Sequence, residues 1–119
     1  MFNQINDISV IGPQGEVDRY EGHQLLETIR GLVFGQKKKI VLDLGEVSHI
    51  HYRFLADLLQ LKRISPDAES IGIKLANPTP YTREILKVTG AERFFETYAT
   101  VAEAVLSFDF QNSESVELH

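Results

Sequence analysis

The chain has 119 residues, enough for a single domain with one hydrophobic core. Its formal net charge of -5 argues against a nucleic-acid-binding role, and the absence of cysteine excludes disulfides and cysteine-ligated zinc. Apolar runs are too short to span a membrane, and the N-terminus lacks the charged-then-apolar order of a signal peptide. We therefore expect a cytoplasmic protein without direct membrane insertion.

The first strands are predicted from alternation and from one apolar run. Ile8 and Val10 flank the polar Ser9, as in a half-buried strand, and the turn residues before them make residues 2–5 the other arm of a hairpin. Residues 40–44 are almost continuously apolar, which is typical of a strand covered on both faces. We expect this run in the interior of the sheet.

A first helix is predicted between these strands. Asp18 is a good N-cap, and Glu21 three residues later completes the aspartate form of a capping box. Apolar residues then recur at three- and four-residue steps, and Gly35 is expected to end the helix in a left-handed conformation. The apolar face comprises Leu25, Leu26, Ile29, Leu32 and Val33.

The second half of the chain alternates helices and strands. Residues 45–50 are interpreted as a loop, followed by a helix over about 52–64 that Ser65-Pro66-Asp67 stops. A strand follows over about 71–75, and residues 94–98 are a further short strand.

Two more helices are predicted from their caps. Thr79 caps one that closes at Gly90, with Pro80 at its first position, and Thr100-x-x-Glu103 opens the last, which runs to about Phe108. We expect Ile85, Leu86 and Val88 to face the core. Residues 1–108 would then be one α/β domain with a mixed, mostly parallel sheet of about five strands and about four helices, and residues 109–119 a polar tail.

The chemistry-bearing residues do not form a strong catalytic motif. His49 and His51 share a face if their segment is extended, so their imidazoles could converge on a metal ion. No third or fourth ligand is identifiable, and histidines in a strand-to-helix loop are more often hydrogen-bonded surface residues. We predict no enzyme activity, no cofactor and no metal.

Four fragments recur in the order of a known family. Gly15-Glu16-Val17-Asp18 resembles that family's Gly-Glu-Leu-Asp, and the run from Ile40 to Leu44 resembles its central strand ending in Asp-Leu. The stretch from Asn77 to Ala91 resembles Asn-Pro … Arg-x-x-Leu-x-x-Thr-Gly-Leu, and Glu103-Ala104 resembles its last helix. The chain thus resembles, from about Ile8 to Phe108, the STAS domains of anti-sigma factor antagonists and sulphate transporters, which implies the STAS fold.

The resemblance also implies a phosphorylation motif, which is degenerate here. In the family, a partner kinase phosphorylates a serine of an Asp-Ser-Ser-Gly-Leu stretch where the central strand leads into the second helix. The aligned residues are His51, Tyr52, Arg53, Phe54 and Leu55, and only the leucine remains. A helix start favours an added phosphate but disfavours a cation such as arginine. The resemblance therefore predicts a module that lacks the phosphorylatable serine.

Two interpretations of the altered motif remain open. Tyr52 and Phe54 are packing residues of an eroded module, or the helix start is a docking surface for another partner. Tyrosine and arginine are enriched at binding hot spots, which favours the second. In that case Tyr52 and Arg53 are exposed, whereas Leu55 and Leu58 are buried. The predicted partner-binding residues are His51, Tyr52, Arg53, Gly15 and Glu16.

Three functions follow from these observations. The first is a non-catalytic regulatory module resembling a bacterial anti-sigma factor antagonist, whose partner is an anti-sigma factor or a related kinase. The second is a STAS subunit of a lipid or anion transporter, bound to an ATPase subunit. The third, of a different class, is a metal or phosphocarrier protein that uses His49 and His51. A homodimer is a further possible partner arrangement.

Overall fold

The computed structural model describes residues 2–64 and 72–108. In chain order the elements are β1 (Phe2–Ile5), β2 (Ile8–Ile11), β3 (Gly15–Val17), α1 (Arg19–Phe34), β4 (Lys39–Asp43), β5 (Val47–Ile50), α2 (Tyr52–Ile64), β6 (Gly72–Ala76), α3 (Pro80–Thr89), a 3₁₀ turn (Ala91–Arg93), β7 (Thr97–Tyr98) and α4 (101–108). The predicted stop at residues 65–67, the first residue of the predicted strand at 71 and the tail lie outside the described residues.

The main sheet has five strands in the spatial order β1-β2-β4-β6-β7. β1 runs antiparallel to β2, and the other neighbours are parallel, which confirms the predicted hairpin and the mostly parallel sheet. β4 is the middle strand, and Ile40, Val41 and Leu42 are buried within it. The apolar run of residues 40–44 therefore marked the interior of the sheet correctly, although the strand itself ends at Asp43.

Helices cover both faces of this sheet. Ile40 and Leu42 of β4 belong to a core with α1, α2 and α3, whereas Val41 points to the opposite face and packs in a second core with Ala104 and Phe108 of α4. Side chains alternate between the faces of a strand, so a strand buried on both sides must be apolar at consecutive positions. This explains the run of residues that predicted β4.

The predicted helix caps are present, with one correction. The side chains of Asp18, Thr79 and Thr100 each accept a hydrogen bond from the backbone N–H three residues on. Gly90 takes the expected left-handed conformation, with a φ of 79°. The prediction for Gly35 is wrong, because its φ is -88°.

The left-handed residue after α1 is Gln36, with a φ of 70°. Its N–H donates to the carbonyl of Val33, and the N–H of Lys37 donates to that of Leu32. These two bonds form a Schellman motif centred one residue beyond the glycine.

Two further predictions for the second half need correction. Val88 is 76% exposed, not a core residue. It lies two residues from buried Leu86, which places it about 200° around α3, whereas Thr82 lies one turn before Leu86 and is buried. The strand predicted over residues 94–98 is only Thr97–Tyr98, because the N–H groups of Phe94 and Phe95 are bonded to the carbonyl of Ala91 in the 3₁₀ turn.

A second, two-stranded sheet differs from the sequence-based expectation. β3 and β5 pair in parallel, with Glu16 opposite His49 and Val17 opposite Ile50. The prediction of a loop over residues 45–50 is therefore wrong for residues 47–50, and Gly15-Glu16 belongs to a strand as well. Each strand has only three or four residues, which is too short for a reliable alternation pattern.

An ion pair joins the N-terminal hairpin to the centre of the sheet. Lys39 Nζ lies 2.9 Å from the Asp7 carboxylate, and its hydrogen bond lowers the pKa of Asp7 below the ordinary value of 3.8. A lowered pKa means that the pair contributes stability above about pH 4 and that the contribution is lost as the pH falls below that value. Both side chains are partly exposed, so we expect Asp7→Asn to cost only about 0.2 to 1 kcal/mol at pH 7. Urea denaturation at pH 7 and pH 3 would show the difference shrinking at the lower pH; a difference that grows would contradict the assignment.

Candidate functional site

The small sheet brings the predicted partner-binding residues together. The N–H of Gly15 donates to the carbonyl of Glu46, and the N–H of His51 donates to that of Val17 at the other end of β3. Gly15 has a φ of 77°, a left-handed conformation that favours glycine. Glu16 is consequently held beside the segment that leads into α2. Glu16 lies opposite His49, whereas Gly15 lies opposite Val47 at the end of β3 away from α2, so the two parts of the predicted site share one small sheet.

His51 forms the cap of α2. Its Nδ1 accepts a hydrogen bond from the N–H of Arg53 at 3.0 Å, and its carbonyl accepts one from the N–H of Phe54. Its ring stacks on Tyr52, with ring centroids 4.6 Å apart and an interplanar angle of 25°. An accepting Nδ1 carries no proton, so the neutral ring has its proton on Nε2. The imidazole thus supplies the acceptor that serine or aspartate usually provides at a helix start.

Burial separates the members of the altered motif. Tyr52 is 64% exposed and Arg53 is also exposed, whereas Leu55 and Leu58 are buried, which confirms the burial pattern predicted for a docking surface. Arg53 Nε lies 3.6 Å from the carboxylate of Asp57, one turn further along α2. This pairing offsets the unfavourable placement of a cation at a helix N-terminus.

Phe54, at the position that the resemblance aligns with the family's glycine, is a core residue. Only 3% of its surface is exposed. It packs on α1 at Gly22, where a side chain would begin only 3.2 Å from the Cβ of Phe54. The glycine on α1 thus makes room for the aromatic ring on α2. The packing interpretation therefore holds for Phe54, and the docking interpretation remains available for Tyr52.

Two exposed tyrosines that were not predicted from the sequence lie beside this surface. Tyr81 is 50% exposed, and its hydroxyl lies 3.2 Å from Nδ1 of His49. Tyr20 is 66% exposed and lines a groove of about 500 Å³ between the starts of α1 and α2, together with Arg53. Tyr20, Tyr52 and Tyr81 are each the first or second residue of a helix that follows a strand. A tyrosine at the start of each predicted helix after a strand could therefore have been recognised in the sequence as a candidate surface residue.

His49 and His51 do not form the metal-ligand pair considered from their spacing. His49 lies in β5 and contacts Tyr81, while His51 lies beyond the strand and binds the N–H of Arg53. Among residues 2–64 and 72–108, no group of three or more histidine, aspartate or glutamate side chains is arranged to hold a metal ion. In the described residues, His49 and His51 therefore have separate partners and are not paired as the metal form of the third function would use them.

Ser48, the serine nearest to the altered motif, is an exposed residue of β5 and not part of a loop. Ser48 precedes the start of α2, so it does not occupy the sequence position that the resemblance assigns to the family's serine.

Comparison with known proteins identifies the family. The STAS domain model matches residues 1–104. This chain belongs to the STAS domain family. The match covers β1 to the first turn of α4, so it includes every element that forms the site. In the described part of the chain, no helix has both the length and the apolar character of a membrane span.

Solved structures of other STAS domains have the same fold. An anti-sigma factor antagonist from Mycobacterium paratuberculosis is 22% identical, with a TM-score of 0.78 over 90% of each chain. An anti-sigma-factor antagonist (STAS) domain protein from Planctomyces limnophilus is 20% identical, with a TM-score of 0.72 over 90% of this chain and 94% of that one. The STAS domain of a SulP transporter from Vibrio cholerae is 14% identical, with a TM-score of 0.68 over 95% of this chain and 88% of that one. Both classes share the fold, so the fold alone does not choose between them.

Proposed function

We propose that this STAS domain is a non-catalytic regulatory module of the anti-sigma factor antagonist type, which binds a partner protein at the start of α2. Its docking surface consists of Gly15, Glu16, His51, Tyr52 and Arg53. The observation that carries the proposal is the exposure of Tyr52 beside buried Phe54 and Leu55. A large aromatic side chain left in solvent at the position of a family's regulatory motif has the character of a binding hot spot.

The contacts around Tyr52 support a preorganised surface. The His51 ring stacks on Tyr52, and the hydrogen bond from Arg53 N–H fixes that imidazole. Tyrosine supplies a large contact area at low entropic cost, and a ring already held by a neighbour loses still less freedom on binding. Arg53 adds charged donors next to this ring.

The docking surface extends toward α3 and α1. The edge-to-face contact of His49 with Tyr81, with centroids 5.7 Å apart, connects β5 to the first turn of α3. On the other side, Tyr20 shares a groove with Arg53. Three exposed tyrosines on three helices suit a folded partner that contacts several elements at once, since stable interfaces usually bury about 800 Å² on each partner.

Regulation in this module does not use a phosphate at the position of the family's serines. Arg53 stands at one of these positions, and the hydroxyl of Tyr52 is attached to a much longer side chain at the other. We expect binding itself, rather than phosphorylation at the start of α2, to determine when the partner is held.

The test begins with identification of the partner by affinity purification from the native cell and mass spectrometry. The purified partner is then titrated with the wild-type domain and with the double variant Tyr52→Ala/Arg53→Glu. We expect the double variant to lose about 2 kcal/mol or more of binding free energy, roughly thirtyfold in Kd. Its free energy of unfolding should change by no more than about 0.5 kcal/mol, because both side chains are exposed.

A matched control changes an exposed aromatic and an exposed cation elsewhere. Phe34→Ala/Lys37→Glu makes equivalent chemical changes at the far end of α1 and just beyond it, and should leave the Kd unchanged. If the Tyr52/Arg53 variant is stable and still binds at full affinity, the docking surface lies elsewhere. Capture of a transporter ATPase subunit, in place of an anti-sigma factor, would show that the domain functions as part of a transporter.

A further inference from the structure

An apolar groove lies along α2, on the side away from α1. Its volume is about 360 Å³, within the range of small-molecule sites. Leu55, Ala91 and Phe95 are buried at its base, and Tyr52 and Phe94 are exposed at its margins. Ala56, Leu59 and Thr89 complete the lining.

The groove extends along the helix axis. Tyr52, Ala56 and Leu59 follow one another at four- and three-residue steps on one face of α2, which spans about 10 Å at 1.5 Å per residue. The base and both walls are carbon-rich, so water in the groove has few hydrogen-bonding partners. Filling it with an aliphatic group would remove Phe94 and Leu59 from water.

Two cations of the last turn of α2, beyond Leu59, lie against aromatic rings of this groove. Lys62 Nζ donates to the carbonyl of Phe94 at 3.3 Å and lies 5.6 Å from the centre of the Phe95 ring. The Arg63 guanidinium lies 5.7 Å from the centre of the Phe94 ring. Both contacts hold the cations over aromatic rings that also line the groove. Among the described residues, neither cation forms an ion pair with a carboxylate.

We infer that this groove binds an amphipathic anion of the fatty-acid type. The aliphatic chain lies between α2 and the Phe94-Phe95 turn, and the anionic group faces Lys62 and Arg63. The positive charges of Lys62 and Arg63 are complementary to one anionic group, as expected for a ligand with a single charged head. The volume suits one chain of medium length and is small for a partner helix, whose diameter with side chains is about 10 Å.

Titrations with matched twelve-carbon compounds test the inference. Dodecanoate, dodecanol and dodecylammonium are added to ¹⁵N-labelled protein, and amide chemical shifts and calorimetric Kd values are measured. We expect dodecanoate to shift amides along α2 and at Phe94 and Phe95, and to bind about tenfold more tightly than dodecanol. Dodecylammonium should bind more weakly than either.

Charge and shape variants separate the two parts of the site. Lys62→Glu/Arg63→Glu should weaken dodecanoate about tenfold and leave dodecanol unchanged, whereas Phe94→Ser should weaken both. Arg30→Glu/Lys37→Glu, with the same change in net charge near the end of α1, is the control and should affect neither. If Phe94→Ser fails to fold, the charge-reversal pair still tests the site.

Several outcomes would overturn the inference. These are no shifts up to about 1 mM dodecanoate, shifts outside the groove, and equal affinity for dodecanoate and dodecanol. Binding of an acidic helical peptide in the groove when dodecanoate fails would assign it to a protein segment instead. None of these variants changes the docking surface, so this inference and the proposed function can fail separately.

Discussion

Replacement of Phe54 by alanine is expected to lower the free energy of unfolding by about 3 to 5 kcal/mol, the usual cost of removing a buried aromatic ring. The ring is 3% exposed and belongs to the core between the sheet and the three helices on its face. Its Cβ lies against Gly22 of α1, which reaches α2 closely because it has no side chain. Alanine would leave a cavity between two helices that cannot easily close.

The neighbouring tyrosine provides a matched control for this prediction. Tyr52→Ala also removes an aromatic ring from the first turn of α2, but that ring is 64% exposed. We expect it to change the free energy of unfolding by no more than about 0.5 kcal/mol. Urea denaturation of both variants measures the contrast. Equal losses would mean that Tyr52 is a packing residue, and the docking interpretation would lose its main support.

Replacement of Lys74 by glutamate is expected to cost about 3 to 5 kcal/mol, because it leaves an unpaired charge in the interior. Lys74 lies on β6 with a side chain only 3% exposed, facing α4. Its ammonium is 2.6 Å from the Ser107 hydroxyl, 3.2 Å from the Glu96 carboxylate and 4.1 Å from the centre of the Phe108 ring. A carboxylate here would face Glu96 and the negative faces of the rings, and each attraction would become a repulsion.

Lys74→Met tests whether the charge or the volume matters. Methionine retains a long unbranched chain, and the Glu96 carboxylate is half exposed and can be solvated. We therefore expect a change within about 1.5 kcal/mol in either direction. Denaturation followed by far-UV circular dichroism compares the two variants. A loss as large as that of Lys74→Glu would show that the ammonium itself holds α4 on the sheet.

Long elements with clear spacing could be predicted from the sequence. α1 and α2 each carry apolar residues at helical spacing over three or more turns, and Asp18, Thr79 and Thr100 mark helix starts that depend on a single local hydrogen bond. The central strand was recognisable because burial on both faces requires an unbroken apolar run. These patterns depend on residues that are close in sequence, so they can be recognised without knowledge of the rest of the fold.

Short or packing-dependent features could not be predicted. β3 and β5 have three and four residues and are stabilised by each other, so neither has a pattern of its own. The left-handed residue after α1 is Gln36 and not Gly35, because the N–H of Gly35 still donates to the carbonyl of Gly31 as in the helix, and the Schellman bonds follow from Gln36 and Lys37. Val88 is apolar, yet it lies on the face of α3 that points to solvent.

The candidate site likewise contains features that could be predicted from local sequence and features that depend on long-range packing. The altered motif, from His51 to Leu55, stands out in the sequence because its residue types differ from the ones that the resemblance aligns with it. The cap formed by His51 follows from the local backbone, whereas the room that Gly22 leaves for Phe54 and the contact of His49 with Tyr81 join distant parts of the chain. No local pattern contains these long-range contacts.

By itself, the sequence determined the family and the order of the long helices and strands, and it predicts that the serine of the regulatory position is missing. Only the tertiary structure decided which aromatic residue of that motif packs and which remains in solvent. Tyr52 and Phe54 are two residues apart, which on a helix places them about 200° around the axis from each other. The sheet and α1 pack against the face of α2 that carries Phe54, so Phe54 is buried. Tyr52 lies on another face of α2 and remains exposed, because an amphipathic helix packs only one face against the core.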